Sequence, residues 1–217
     1  MTASNEGGQA ILKPSVPIKI AVFASGSGSN FQALAEAVRD GKIHASIELV
    51  VCDKPTAFVL ERARNFQVET YTFSPKQYAS REAYEEVIVS KLQAVGIDLI
   101  VMAGYMRLVT NVLVEPYYGR MINVHPALLP AFPGINAPKQ ALDYGAKLTG
   151  ATVHFVDGGT DTGPIIAQQA VEIHEQDTLE TLGSRIQKVE YELLPKAVGW
   201  IAEGRVSLSG RKVKITN

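Results

Sequence analysis

From Ile18 onward, short apolar runs alternate with segments whose apolar residues recur at helical spacing. The runs "IKIAVFA" (18–24), "ASIELVVCD" (45–53), "VETYTF" (68–73), "DLIVMAG" (98–104) and "RMINVH" (120–125) predict strands, several of them apolar enough to be buried on both faces. Between them the spacing predicts helices over 30–42, 57–66 and 80–96, and a short helix or turn over 112–119. Gly41 marks a stop, and Ser80 and Gly96 mark the N-cap and the C-terminal stop of the third helix. Such alternation predicts an α/β fold: a doubly wound, mostly parallel sheet with helices on both faces.

After residue 125 the rhythm changes. "INAPKQALDYG" (135–145) predicts a helix ending at Gly145. "GATVHFVD" (150–157) and "GPIIAQQAVEI" (163–173) flank a glycine-rich turn and predict an antiparallel edge to the sheet. A long helical pattern covers 178–204, with Pro195 predicting a kink or a break, and 205–215 predicts a hairpin. Residues 1–17 are small, polar and without period, and read as a loose leader before a single domain over 18–217.

Composition narrows the function classes. With 46% hydrophobic and 20% charged residues, the 217-residue chain has the makeup of a globular protein with a substantial core. A net charge of −1 carries no footprint for nucleic acid or a membrane surface, and no apolar run is long enough to span a bilayer. Cys52, the sole cysteine, permits neither an internal disulfide nor a thiolate metal site, and fits a reducing cytoplasm. The expectation is a cytoplasmic protein, monomer or homodimer, acting on small molecules without a metal.

Two constellations carry chemistry. "ASGSGSN" (24–30) joins the first strand to the first helix, where backbone N–H groups converge on a helix N-terminus that favours anions. A dinucleotide fingerprint needs a third glycine where Phe31 stands, and a P-loop needs a lysine that is absent. A monophosphate or other small anion fits better; the alternative is a plain linking turn. In the second constellation, Asn123 and His125 share one face of a strand that Pro126 ends. They lie at the carboxyl edge of a parallel strand, where such sheets hold ligands. An amide and an imidazole there suit a reacting carbonyl: one donates to an oxyanion, the other exchanges a proton near neutral pH. "DGGTDTGP" (157–164) offers Asp157 and Asp161 as partners for the imidazole; residue types alone leave open which one serves, or whether both are turn chemistry.

"SGSGSN", "AGYMRLV", "NVHPALLPAFPG", "GATVHFVD", "DTGPIIAQ" and "RIQKVE", in this order, resemble the phosphoribosylglycinamide formyltransferases, folate-dependent enzymes of purine biosynthesis. The resemblance runs from Ile18 to about Gly204. It implies catalysis by Asn123, His125 and Asp161, which picks Asp161 over Asp157. It implies a ribonucleotide phosphate on Gly28, Ser29 and Asn30, and a ribose contact at Glu190 with Gln187 one helical turn earlier. It implies a folate pocket of Met106, Arg107, Leu108, Val109, Asn123 and the backbone from Val156 to Asp161, with Arg81 meeting the folate's glutamate tail. The phosphate half would be about 18–119 and the catalytic and folate half about 120–217. Bacterial members often carry histidines after the "FPG" turn, where this chain has Asn136 and Pro138.

The reaction implied is formyl transfer from 10-formyltetrahydrofolate, as cosubstrate, to the amine of glycinamide ribonucleotide. Asn123 and a protonated His125 would hold the oxyanion of the tetrahedral intermediate, with Asp161 raising the His125 pKa. Hydrolysis of 10-formyltetrahydrofolate and a non-catalytic nucleotide-binding module are the alternatives.

Overall fold

The computed structural model describes residues 11, 12 and 17–216. Seven strands form one sheet: β1 (Ile18–Ala24), β2 (Ala45–Cys52), β3 (Glu69–Thr72), β4 (Leu99–Met102), β5 (Met121–His125), β6 (Leu148–Phe155) and β7 (Ile165–Glu172). Their order is β3-β2-β1-β4-β5-β6-β7. The first five pair in parallel and the last two antiparallel, which is the expected doubly wound sheet with an antiparallel edge. The helices are α1 (Ser29–Arg39), α2 (Val59–Asn65), α3 (Arg81–Val95), α4 (Asn111–Val114), α5 (Ala137–Tyr144) and α6 (Leu179–Ala202).

Strand alternation sorts the core into two layers. On β1, Ile20, Val22 and Ala24 meet α1, α2 and α6, while Ala21 and Phe23 meet α3 and α4. Apolar positions on both faces are what a strand buried between helix layers requires. Ser80 caps α3 by accepting from Ala83 N–H, and Gly96 ends it in a left-handed conformation. Pro195 neither breaks nor divides α6, which runs on through it. Its ring lies on a half-exposed face, where the carbonyl it leaves without a donor can meet water.

Two features beyond the sheet bear on the site. The loop after His125 is tied down from β6: the buried Thr152 hydroxyl donates to Ala127 O at 2.6 Å and accepts from Leu129 N at 3.1 Å. The strands β8 (Val206–Ser209) and β9 (Lys212–Ile215) form the expected hairpin. The expected leader lies mostly outside the described residues; Ile11 and Leu12 pack against the core, and Ile11 N–H donates to Val206 O. Among the described residues, no helix is long and apolar enough to cross a membrane, and no group of three or more His, Cys, Asp or Glu is placed to hold a metal ion.

Candidate active site

β1 and β4 are neighbours, but the connections leaving β1 and reaching β4 cover opposite faces of the sheet. A crevice opens at the carboxyl ends of strands where such a reversal occurs. At one end of it, Gly28 stands before α1 with φ 72°. A Cβ there would lie 2.5 Å from Val59 Cγ2, so the α2 backbone can sit this close only to glycine. The first internal bond of α1 runs from Gln32 N–H to Gly28 O, so the preceding N–H groups have no helical partner. From α6, Gln187 Nε2 donates to Ser29 Oγ at 3.2 Å, and Glu190 Oε2 accepts from Asn30 Nδ2 at 3.0 Å. Burial pushes the Glu190 carboxyl up to about 7, against the opposing pull of the Asn30 amide. Asn30 Oδ1 is a buried acceptor with no partner among the described residues.

The segment after β4 forms the opposite wall. Three buried side chains fix its backbone and its one guanidinium. Met106 N–H donates to Ser25 Oγ at 2.9 Å, and Thr110 N–H donates to the Glu85 carboxylate at 3.0 Å. Arg107 Nε donates to Asp53 Oδ2 at 2.7 Å. Held this way, the apolar side chains of Met106 and Leu108 stay 64% and 57% exposed, an arrangement that suits a flat apolar ligand.

Between the walls stand Asn123 and His125 on β5. Asn123 lies opposite His154 across the β5–β6 pair. His125 Nε2 must carry a proton, because it contacts the Phe132 carbonyl at 2.8 Å. Its Nδ1 lies 3.3 Å from Asp161 Oδ2. Both ring nitrogens therefore face acceptors, as an imidazolium requires. Yet burial holds the His125 pKa below its ordinary value; the Phe132 carbonyl and Asp161 pull it upward without prevailing. This corrects the expectation that Asp161 keeps His125 charged at rest: the sign of the Asp161 effect is as expected, but desolvation of a ring 4% exposed outweighs it.

Asp161 sits at φ 55°, its carboxylate turned inward. Oδ2 also accepts from Gly134 N–H at 2.7 Å, and Oδ1 lies 3.4 Å from Asn123 Nδ2. Burial alone would raise its pKa; the His154 ring, Gly134 N–H and His125 outweigh burial and hold it low. Asp157 is different: its Oδ1 accepts from Gly159 N–H and Thr162 Oγ1 and closes its own loop. Of the two acids, Asp161 is the one in contact with the His125 ring.

All the residues expected from the resemblance line one cavity of about 760 Å³, including Arg81, Arg107, Val109 and Val156. Asn136 and Pro138 line it too, beside Ile135, which is 77% exposed. The family model described as Formyl transferase matches residues 18–198. The chain belongs to this family. It is 51% identical over 180 residues to the phosphoribosylglycinamide formyltransferase of Bacillus subtilis, covering 83% of this chain and 92% of that protein. It is 37% identical to the enzyme of the same name from Escherichia coli, covering 88% and 90%. The crystal structure of glycinamide ribonucleotide transformylase 1 from Symbiobacterium toebii superposes with a TM-score of 0.92 at 43% identity, covering 98% of this chain and all of that one.

The sequence pattern does not single out every residue around this cavity. His154 is the clearest case. Its Nδ1 contacts Phe155 O at 2.7 Å and so carries a proton, and its Nε2 lies 3.2 Å from Asn123 Nδ2 and 3.6 Å from Asp161 Oδ1. At rest the Asn123 amide nitrogen thus faces His154 and Asp161 rather than standing free to meet an oxyanion. Alternation in "GATVHFVD" was the available signal, since it puts His154 on the face opposite Val153 and Phe155. Ser25, Asp53 and Glu85 had none beyond being polar residues inside apolar stretches or at their ends.

Proposed function

We propose that the chain transfers the formyl group of 10-formyltetrahydrofolate to the amine of glycinamide ribonucleotide, a step of purine biosynthesis. The observation that carries this reading is the shared cavity. It has an anion turn with buried polar groups at one end, an exposed apolar segment at the other, and Asn123, His125 and Asp161 between them. Phosphate rests on Gly28, Ser29 and Asn30, and the ribose hydroxyls meet Glu190 and Gln187. The folate ring lies along Met106 to Val109 and Val156, with its glutamate tail toward Arg81.

The amine attacks the formyl carbon, and the carbonyl oxygen becomes an oxyanion. A neutral His125 takes up the proton that the attacking nitrogen must lose, relayed by a water held on Asp161. The resulting imidazolium sits between two acceptors already in place, Phe132 O and Asp161 Oδ2. It stabilises the oxyanion, and Asn123 joins it by turning its amide from His154. Collapse breaks the bond from the formyl carbon to the folate nitrogen, which receives the proton. No metal or covalent enzyme intermediate is required.

The test is to mix the protein with 10-formyltetrahydrofolate, with and without glycinamide ribonucleotide. Consumption only with the nucleotide is expected. Consumption without it marks a hydrolase, and none in either case marks a binding module. His125→Ala is expected to cost roughly 10²–10⁴-fold in turnover, the range for a positioned acid or base.

A further inference from the structure

The glycine turn does not hold its own shape. Gly26 O accepts from Val59 N–H at 3.1 Å, and Ser27 O accepts from Arg62 Nε at 2.8 Å. Both donors belong to α2. The two peptide units concerned, Gly26–Ser27 and Ser27–Gly28, are trans. In a trans unit the N–H points opposite to the C=O. Drawing these two carbonyls toward α2 therefore turns the N–H groups of Ser27 and Gly28 the other way. Among the described residues, no protein acceptor takes either N–H, and both residues line the cavity. The Val59 side chain packed on Gly28 is a third point of contact.

Arg62 brings charge as well as a donor. Its guanidinium lies over the Phe58 ring, 4.9 Å from the centroid, and among the described residues no carboxylate pairs with it. Of the arginines that line the cavity, Arg81 and Arg107, the second is bonded to Asp53.

We propose that Arg62 is a positioning residue of the phosphate site. By holding Ser27 O it aims the Gly28 N–H at the bound anion, and its unpaired charge stands behind the turn. This rests on the reading that the turn holds the phosphate of the ribonucleotide substrate. The substrate itself touches the backbone, not Arg62.

The experiment compares wild type, Arg62→Met and Arg62→Lys with two acceptors, glycinamide ribonucleotide and its dephosphorylated riboside. Arg62→Met should raise KM for the ribonucleotide on the order of tenfold, as loss of a charged hydrogen bond does. Turnover at saturation, KM for 10-formyltetrahydrofolate and kcat/KM for the riboside should stay at wild-type values. Arg62→Lys, which keeps the charge and a donor, should recover most of the loss. A merely structural role would move the riboside and folate parameters together with the ribonucleotide KM. Suppose wild type prefers the ribonucleotide over the riboside but Arg62→Met shows a ribonucleotide KM within about twofold of wild type. Then the role given to Arg62 is wrong while the phosphate reading stands. A fall in turnover with KM unchanged overturns it equally. If wild type does not distinguish the two acceptors, the phosphate reading falls and Arg62 falls with it.

Discussion

Glu190 is a carboxyl group kept in apolar surroundings with only the Asn30 amide as partner, and its protonation near pH 7 has two consequences. Its folded pKa is raised above the ordinary carboxylate value. Its contribution to stability is therefore full below about 4.5, falls as pH rises, and is lost once pH passes about 7. The ionised form is the stronger acceptor for ribose hydroxyls. The ribonucleotide KM should therefore fall as pH rises through about 7, and Glu190→Gln should flatten that dependence at a higher KM. A glutamine variant with the wild-type pH profile would show that another group titrates. Neither this shift nor that of His125 is legible in the sequence, because both arise from burial. Residue type names the candidate groups; only the fold says which are dry. The same holds for the choice between Asp157 and Asp161, four residues apart and alike in composition.

At the scale of elements, helix ends were written locally and site loops were not. Ser80, Gly96 and Gly145 stop and start helices through bonds within a few residues, so the pattern predicts them well. Pro195 shows the limit of such reasoning: packing along α6 overrides its local penalty. The loop over 157–164 depends on the pairing of the two strands that flank it, β6 and β7. Phe155 N–H donates to Pro164 O at 2.8 Å, and a Cβ at Gly163 would lie 1.7 Å from Phe155 O. That carbonyl is also the acceptor of His154 Nδ1. Gly163→Ala must therefore push apart the base of the loop and release the ring that holds Asn123. The expected result is a loss of turnover on the order of tenfold or more, with a folded protein by circular dichroism. Wild-type turnover in this variant would mean that the loop base does not set the geometry of Asp161 and His154.

At the scale of the whole molecule, the alternation of strands and helices predicts the sheet, and the sheet predicts which edge holds the site. It does not predict that α6 returns across 160 residues to place Glu190 on Asn30. A ribonucleotide spanning the turn before α1 and the face of α6 binds only where both are assembled. It must therefore stabilise the native state by mass action. At a hundred times its dissociation constant the gain is about 2.7 kcal/mol, which for a chain of this size is a rise of roughly 5–10 °C in melting temperature. 10-Formyltetrahydrofolate should raise it too, through the segment from Met106 to Val109. Glu190→Ala separates the two ligands: the shift with ribonucleotide should shrink while the shift with the folate persists. An undiminished ribonucleotide shift in that variant would put the ribose elsewhere. No shift with saturating ribonucleotide in wild type would mean that the turn and α6 do not form one site.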